Sequence, residues 1–294
     1  MLAGDDFVAT LDGFRLFVRS AGFGDRSLVV PGVGAETDFA PLCAKRTVAF
    51  FDIRNRGRSD PVPVEGSVGL PAEIDDIDTV RSAVGFVRTS VLGWSYTGLV
   101  AALYAARYPQ YIDRLVMVCP ASPAASLQPA PGVADSAVVD RLGELAETGL
   151  AGSDPVAFAR AWRRIVVPTR MGNPTAFENL GTDPAIWPNE WPEHMTDALN
   201  RVAATLAVDF DYRPEARRIS APTLIIHGDR DTIPLAASEA WARAIPAARL
   251  LVLPGVGHFP HAEAPSRFFD EVQTFLDGDW PARSAPFGVR DGRP

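Results

Sequence analysis

The 294-residue chain has few cysteines, no excess of positive charge and no long hydrophobic run. Cys43 and Cys119 are far apart and outside any C-x-x-C or Cys/His ligand spacing, so the sequence predicts neither a disulfide framework nor a zinc site. The net charge of −8 disfavours nucleic acid and anionic membranes as partners, because most of the surface would repel a polyanion. We therefore expect a small or neutral molecule as the partner.

Targeting and membrane signals are also missing. The first residues, MLAGDDFVATLDG, contain neither the basic nor the apolar region of a secretory signal, and no stretch holds about 18 uninterrupted apolar residues. These features predict a cytoplasmic protein. Apolar residues make up 47% of the chain and charged residues 22%, which is typical of a folded globular protein with a sizeable core. Nothing in the sequence indicates the oligomeric state.

Strand-like and helix-like segments alternate through the first part of the chain. A hairpin is predicted around Asp12-Gly13, and short apolar runs begin near 27 and 47. An amphipathic helix over 70–88 follows, then the strand SVLGW, a helix over 96–107 and the strand DRLVMVCP. This order predicts an α/β fold with a mostly parallel twisted sheet and helices on both faces.

The alternation breaks between about 121 and 218. Helix-like segments at 136–148, 155–165 and 194–207 are separated there by clusters of proline, tryptophan and glycine. Strand and helix patterns resume with PTLIIHGDRD, a helix over 234–244, ARLLVLPGVGH and a helix over 265–276. We predict a core formed by 1–120 and 219–278, a helical cap insertion at 121–218, and a loose C-terminal tail at 279–294.

A lone serine lies between the strand SVLGW and the helix that follows it, in the segment GWSYTG. A sharp strand-to-helix turn would lift Ser95 above the sheet, but its backbone tolerates only small neighbours. Gly93 fits this requirement, whereas Thr97 occupies the position where G-x-S-x-G has glycine, and Gly98 compensates only in part. Any apolar strand followed by Gly, Ser and a helix would give a similar string, so a structural role stays open at this step.

Two later loops supply partners for a nucleophilic serine. Asp231 follows the predicted strand in LIIHGDRD, and His258 follows the next strand, LLVLPGVGH. A serine needs a base that removes its proton, and loops at the carboxyl ends of parallel strands meet at one edge of the sheet. Nearby rivals fit structural roles: Asp229 as a residue that holds its loop, and His261 as a loop or rim residue. His227 and His194 also fit structural roles.

The chain resembles α/β-hydrolase fold enzymes over nearly its whole length. DIRNRGRSD is similar to the family's D-x-R-G-x-G-x-S-D loop, GDRDTIP to its acid loop, and GVGHFPHAEAPSRFFDEVQTFL to its histidine loop and last helix. LGWSYTGLVA resembles the corresponding segment of pimeloyl-carrier-protein methyl ester esterases. DIRNRGRSDP and the long cap are similar to those of proline iminopeptidases.

No His/Asp cluster has metal-ligand spacing, so the sequence predicts no metal site, and no cofactor is expected. The resemblance implies the roles of the catalytic residues. Ser95 would be the nucleophile, His258 the general base and Asp231, in preference to Asp229, the acid that orients it. The backbone N–H groups of Val33 and Tyr96 would form the oxyanion hole. Pro31-Gly32 replaces the family's His-Gly pair before Val33, which leaves the support of that loop open. Asp52 and Arg54 are expected to brace the loop that follows their strand.

The predicted function is a serine hydrolase that cleaves a small ester or related acyl compound. Serine rather than aspartate at position 95 argues against epoxide hydrolase and haloalkane dehalogenase chemistry. The alternatives are a proline iminopeptidase-like aminopeptidase, a small-molecule receptor and a biosynthetic tailoring protein on the same fold. An aminopeptidase would need acidic groups such as Glu178, Glu190 and Glu193. The candidate pocket aromatics, which would equally suit cap packing, are Trp94, Phe177, Trp187 and Trp191, together with Tyr96.

Overall fold

The computed structural model describes residues 4–63, 68–128, 135–204 and 206–287. Within these ranges nine strands form one sheet with the order β1-β2-β4-β3-β5-β6-β7-β8-β9. The strands are β1 (Gly4–Ala9), β2 (Arg15–Ala21), β3 (Ser27–Pro31), β4 (Thr47–Phe51), β5 (Thr89–Trp94), β6 (Ile112–Val118), β7 (Thr223–Gly228), β8 (Ala248–Leu253) and β9 (Ala285–Pro286).

The central part of the sheet is parallel. The run β4-β3-β5-β6-β7-β8 pairs in parallel, while β1 with β2, β2 with β4 and β8 with β9 pair antiparallel. The hairpin predicted at Asp12-Gly13 joins β1 to β2. Parallel strands need crossover connections, and the helices supply them. The prediction of an α/β fold with a mostly parallel sheet is confirmed.

Helices occupy both faces of the sheet. Among the described residues they are α1 (Ala35–Asp38), α2 (Leu70–Ala83), α3 (Tyr96–Arg107), α4 (Ser136–Glu147), α5 (Leu150–Ser153), α6 (Pro155–Val166), α7 (Pro192–Ala204), α8 (Arg213–Ala216), α9 (Leu235–Ala244), α10 (Pro260–Glu263) and α11 (Pro265–Asp277). Short 3₁₀ turns lie at Ala40–Ala44, Pro109–Tyr111, Ala125–Leu127, Val167–Arg170, Pro174–Asn179, Pro184–Ile186 and Pro188–Glu190. No helix in the described part of the chain is long and apolar enough to cross a membrane.

Two hydrophobic layers cover the sheet because neighbouring strand residues point to opposite faces. Val29 and Val91 pack into the layer formed with α2, α3 and α9. Val30 and Leu92, their chain neighbours, pack into the layer formed with α1 and α11. The strands are therefore buried on both faces, and the loops at their carboxyl ends lie at one edge.

The segment between β6 and β7 contains α4 to α8 and, among its described residues, adds no strand to the sheet. Among the described residues, this segment contains one isolated antiparallel β-bridge, between Ala124 and Asp211. A bidentate ion pair ties this segment to the core, with Arg56 Nε and Nη2 each 2.6 Å from a carboxylate oxygen of Glu190. The predicted domain limits at 121 and 218 stay a prediction.

The C-terminal segment differs from the predicted loose tail. The short strand β9 pairs antiparallel with β8, with Ala285 opposite Leu250 and Pro286 opposite Arg249. The free edge of β8 offers unpaired backbone groups, which a short extended segment can satisfy. Trp280 anchors the approach, since its ring lies 5.0 Å from that of Phe275. The last part of the predicted tail, 288–294, lies outside the described residues.

Candidate active site

Ser95 occupies a sharp turn between β5 and α3. Its φ of 57° and ψ of −123° place a non-glycine residue at positive φ, a conformation that costs about 1–3 kcal/mol. Gly93 permits the turn, because a Cβ at that position would lie 2.2 Å from the carbonyl oxygen of Thr97. The turn therefore needs glycine two residues before the serine.

Thr97, the departure from G-x-S-x-G, is accommodated by its hydroxyl. Thr97 Oγ1 accepts a hydrogen bond from the backbone N–H of Trp94 at 3.0 Å and donates one to the Trp94 carbonyl at 2.9 Å. The side chain thus satisfies backbone groups at the end of β5, where the chain leaves the sheet. Threonine fits here because its hydroxyl bonds the Trp94 N–H and carbonyl in place of the backbone partners that the turn removes.

The structure brings Ser95, His258 and Asp231 into one hydrogen-bonded chain. His258 Nε2 lies 2.9 Å from Ser95 Oγ, and His258 Nδ1 lies 2.9 and 3.0 Å from the two carboxylate oxygens of Asp231. The side chains of His258 and Asp231 are fully buried. Because an ionised carboxylate only accepts hydrogen bonds, Nδ1 carries the proton and Nε2 is free to accept from the serine hydroxyl.

Both ionisable members of this chain have shifted pKa values. Burial acts to raise the pKa of Asp231, but its hydrogen bond to His258 and the attraction between the two groups bring that pKa below its usual value. Burial lowers the pKa of His258; Asp231 opposes this change, and the positive charge of Arg170 adds to it. At neutral pH the histidine is therefore uncharged and able to take a proton.

The rival residues have contacts of another kind. Asp229 accepts a hydrogen bond from the Gly255 N–H at 2.7 Å, which ties its loop to the histidine loop. His227 Nδ1 lies 2.9 Å from Ser238 Oγ. His261 is buried against Phe39, with ring centroids 4.8 Å apart. His194 is an exposed residue of α7.

The two predicted oxyanion donors are backbone N–H groups that are free to donate a hydrogen bond. Among the described residues, the N–H groups of Val33 and Tyr96 have no hydrogen-bond acceptor. Tyr96 begins α3, so its N–H belongs to the first turn of that helix, where no intrahelical acceptor exists. Val33 follows β3 in the loop that leads to α1.

The Val33 loop is braced from the core and from the segment between β6 and β7, although it lacks the family's histidine. Gly34 N–H donates to Asp52 Oδ1 at 3.0 Å, and the Gly34 carbonyl accepts from Thr182 Oγ1 at 2.7 Å. Gly34 has a φ of 63°, and a Cβ there would lie 2.4 Å from the Thr182 side chain. Asp52 is held in turn by Arg58, whose Nε lies 2.7 Å from Oδ2. Because Arg58 lies in the loop after β4, its contact matches the predicted role of Asp52 in bracing the loop that follows its own strand.

Arg54 has a different set of partners. It binds Asp76 through Nε at 2.7 Å and Nη2 at 2.6 Å, and Asp12 through Nη1 at 2.9 Å. These contacts connect the loop after β4 to α2 and to the β1–β2 hairpin. Arg54 therefore braces that loop against its neighbours.

Glu263 organises the histidine loop, and sequence reasoning missed it. Its two carboxylate oxygens accept hydrogen bonds from four backbone N–H groups at 2.7–3.1 Å, those of Gly172, Asn173, Gly257 and Phe259. The N–H of His258 itself donates to the Arg170 carbonyl at 2.9 Å. Residues 170–173, in the segment between β6 and β7, thus help to fix His258. The acidic residue five positions after His258 was the available signal.

The four aromatic residues predicted for the substrate pocket make packing contacts. Trp94 donates its indole N–H to the His258 carbonyl at 2.8 Å, and Trp191 donates to the Ala185 carbonyl at 2.9 Å. The Trp187 ring lies 4.7 Å from the Arg58 guanidinium. Phe177 packs against a cluster that includes Phe259. The contacts of Trp187 and Phe177 join the segment between β6 and β7 to the core, and the substrate-lining role of all four residues stays a prediction.

The glutamates considered for an aminopeptidase are engaged or exposed. Glu190 forms the bidentate pair with Arg56 and accepts the N–H of Gly57 at 2.9 Å. Glu178 is exposed and lies 2.8 Å from Arg164, and Glu193 is exposed at the start of α7. The contacts of these three residues give no cluster of uncommitted carboxylates beside Ser95.

One group of potential metal ligands occurs in the described part of the chain. Cys119 Sγ, a carboxylate oxygen of Asp231 and a ring nitrogen of His258 lie within 4.8 Å of one another. Burial raises the pKa of the Cys119 thiol well above its usual value, so this sulfur is held as a neutral thiol rather than as a metal-binding thiolate. Asp231 and His258 Nδ1 already satisfy each other. The donor set therefore fits hydrogen bonding better than metal binding.

Comparison with known proteins agrees with this geometry. The family model described as alpha/beta hydrolase fold matches residues 22–265. The chain belongs to the α/β-hydrolase fold family.

Individual relatives of this hydrolase fold share moderate identity with the chain. An uncharacterized protein of Mycobacterium tuberculosis is 28% identical over 300 residues, covering 93% of this chain and 81% of that protein. A pimeloyl-acyl-carrier-protein methyl ester esterase of Chromobacterium violaceum is 25% identical, covering 84% and 92%. The crystal structure of a proline iminopeptidase from Mycobacterium smegmatis has a TM-score of 0.62 at 20% identity, covering 93% and 98%, which shows a shared fold.

Proposed function

We propose that the protein is a serine hydrolase that cleaves a small ester or related acyl compound through an acyl-enzyme on Ser95. The observation that carries this proposal is the continuous hydrogen-bonded chain from Ser95 Oγ through the His258 ring to Asp231. A neutral buried histidine at 2.9 Å from a serine hydroxyl is the arrangement that proton removal needs.

The reaction follows from these contacts. Ser95 Oγ attacks the ester carbonyl carbon while its proton passes to His258 Nε2, and the negative charge on the carbonyl oxygen meets the N–H groups of Val33 and Tyr96. Asp231 stabilises the imidazolium, which then protonates the departing alcohol to leave the acyl-enzyme. Water attacks the acyl-enzyme with His258 again as base, and release of the acid regenerates the Ser95 hydroxyl.

Esters are favoured over N-terminal proline substrates on two grounds. An α-ammonium would need an uncommitted carboxylate, whereas Glu190 is paired with Arg56, and Glu178 and Glu193 are exposed. The relative from Chromobacterium violaceum, similar over most of both chains, carries the name of a methyl ester esterase. The likeness to the proline iminopeptidase concerns the fold, which hosts many chemistries.

The first experiment asks whether Ser95 is the nucleophile. A fluorophosphonate probe is expected to label the wild-type protein and not the Ser95→Ala variant, which should lose several orders of magnitude in turnover of p-nitrophenyl butyrate. Ser90→Ala is the matched control, because it removes a buried hydroxyl from the same strand and should keep labelling. A folded Ser95→Ala protein with more than about a tenth of wild-type activity would refute the assignment.

The second experiment separates esterase from aminopeptidase and receptor. We expect kcat/KM for p-nitrophenyl butyrate and hexanoate to exceed that for proline p-nitroanilide. A proline amide preferred by about tenfold, roughly 1.4 kcal/mol of transition-state stabilisation, would favour the aminopeptidase instead. Labelling of Ser95 without repeated turnover of any of these esters would favour a receptor or a tailoring enzyme specific for one metabolite.

A further inference from the structure

A small cavity lies beside α7. One of the residues that line it, Tyr96, directly follows Ser95 in the sequence. Its walls come from the loop 53–56 and from Val68, Glu73 of α2, Tyr96 of α3, and Leu199 and Val202 of α7. The volume is about 20 Å³, enough for roughly one water-sized group. Tyr96 lines this cavity, and its backbone N–H is a proposed oxyanion donor.

Two residues that line this cavity, Glu73 and Tyr96, each have a buried oxygen atom without a hydrogen-bond partner in the described part of the chain. Neither Glu73 Oε2 nor Tyr96 Oη has a partner of good geometry in the described part of the chain. Glu73 is only 4% exposed. Leaving such a buried polar atom unpaired costs about 1–3 kcal/mol, so a carboxyl oxygen and a phenol hydroxyl on two residues that line one small cavity indicate a small polar group that both can bind.

The other charged groups around Glu73 are already paired. Arg54 is held by Asp76 and Asp12, and Arg56 by Glu190. Burial raises the pKa of Glu73 to about 7, and the charge of Asp76 adds to this rise, while Tyr96 and Arg54 oppose it. A carboxyl with this pKa is substantially protonated near neutral pH and can then both donate and accept a hydrogen bond.

We propose that Glu73 and Tyr96 form a binding site for one hydroxyl group carried by the acyl part of the substrate, so that the preferred substrates are hydroxyacyl esters. This inference rests on the proposed esterase function and names a substrate class for it. A hydroxyl matches the cavity in size and both donates and accepts, as Glu73 and Tyr96 together require. A plain alkyl chain would give neither oxygen a polar partner beyond the weak contact between the two groups themselves.

An ammonium group fits the same cavity less well. The apolar side chains of Ile53, Val68, Leu199 and Val202 line it, and desolvating a cation there is costly. Esters with an amino group on the acyl chain are therefore the alternative substrates against which the hydroxyacyl esters are tested.

The test on the wild-type protein uses matched p-nitrophenyl esters. Hydroxyacetate, 3-hydroxybutyrate and 6-hydroxyhexanoate are compared with acetate, butyrate and hexanoate, and with glycinate, 3-aminobutyrate and 6-aminohexanoate. We expect kcat/KM for the hydroxy ester to exceed that for its unsubstituted match by about tenfold or more at one chain length, the effect of one well-placed hydrogen bond. Equal values at every length, or a preference for the amino esters, would overturn the proposal.

Substitutions at Glu73 and Tyr96 test whether a preference for hydroxy esters arises at this cavity. Tyr96→Phe and Glu73→Leu should each reduce the ratio of hydroxy to plain ester toward one, whereas Glu73→Gln, which still donates and accepts, should keep most of it. Tyr104→Phe is the matched control and should keep the full ratio, because it removes a tyrosine hydroxyl from the same helix, where that hydroxyl is bonded to Asp78. A ratio that survives both Tyr96→Phe and Glu73→Leu would place the hydroxyl elsewhere.

Failure of this inference is distinguishable from failure of the proposed function. If Ser95 is labelled and the unsubstituted esters turn over, but no hydroxyl preference is found, the hydrolase assignment stands and the hydroxyl site is refuted. If no ester turns over and the probe does not label Ser95, the proposed function fails, and the hydroxyacyl inference fails with it.

Discussion

The Thr97 side-chain oxygen lies 3.0 Å from the Trp94 backbone nitrogen and 2.9 Å from the Trp94 carbonyl oxygen. This pair of contacts closes the turn that carries Ser95. It explains how a β-branched residue replaces the glycine expected two residues after Ser95. The Ser95 backbone is therefore held at its positive φ by a side chain as well as by the glycine at position 93.

We predict that Thr97→Val destabilises the protein by about 1–3 kcal/mol, because valine keeps the shape but leaves the Trp94 N–H unpaired. Urea denaturation of the two proteins measures the difference. Thr274→Val is the control, since it removes an exposed hydroxyl that bonds the Asp270 carbonyl within α11. A Thr97→Val protein as stable as this control would show that the hydroxyl contributes nothing to the turn.

Asp231 and Asp229 should differ sharply when each is changed to asparagine. Asp231→Asn removes the charge that fixes the proton on His258 Nδ1, so kcat on p-nitrophenyl butyrate should fall by about three orders of magnitude or more. Asp229→Asn keeps an oxygen that can accept the Gly255 N–H and should cost far less. Equal losses would leave the acid unassigned, and a larger loss at Asp229 would transfer the role to that residue.

The fold and the position of the serine turn could be predicted because their signals are local. Hydrophobic runs mark the strands, and Ser95, Asp231 and His258 each follow a strand that belongs to the parallel part of the sheet. The parallel arrangement then brings their loops to one edge. The meeting of these three side chains follows from topology, which alternation of strands and helices already implies.

The supporting contacts could not be predicted, since they join residues far apart in the chain without a local pattern. Thr182, between β6 and β7, donates a hydrogen bond to the carbonyl of Gly34, and Glu263 accepts one from the N–H of Gly172. The burial of Glu73 is equally hidden, because an acidic residue near the start of a helix usually faces solvent. Strand β9 was missed because a two-residue pairing carries no periodicity.

The pH dependence of hydrolysis should reflect the lowered pKa of His258. The neutral form is the active one, so kcat/KM for p-nitrophenyl butyrate should be constant at neutral pH and fall as the pH drops through that pKa. Burial moves this decline below the usual histidine value of about 6.5. An acid limb centred above about 7, with chemistry limiting, would contradict the assignment of the base.

Substitution of Arg170 gives a second test of the lowered pKa of His258. Its positive charge contributes to the lowered pKa of His258, so Arg170→Gln should move the acid limb toward higher pH. The His258 N–H donates to the backbone carbonyl of Arg170, which the substitution leaves in place. Arg164→Gln is the control, because its exposed guanidinium pairs with Glu178. Equal shifts in the two variants would exclude a specific contribution from Arg170.

His261 should lower the free energy of unfolding in acid, without a direct effect on catalysis. Burial lowers its pKa to about 4, and its Nδ1 atom has no hydrogen-bond partner in the described part of the chain. In the unfolded chain its pKa returns to about 6.5, so below that pH the unfolded state binds more protons and stability falls until the pH nears 4. His261→Phe should remove a loss on the order of 3 kcal/mol between pH 7 and pH 4, measured by urea denaturation at each pH. His194→Phe, the same change at an exposed position, should retain the full loss. If both variants lose as much stability as the wild type, His261 is not the acid-sensitive group.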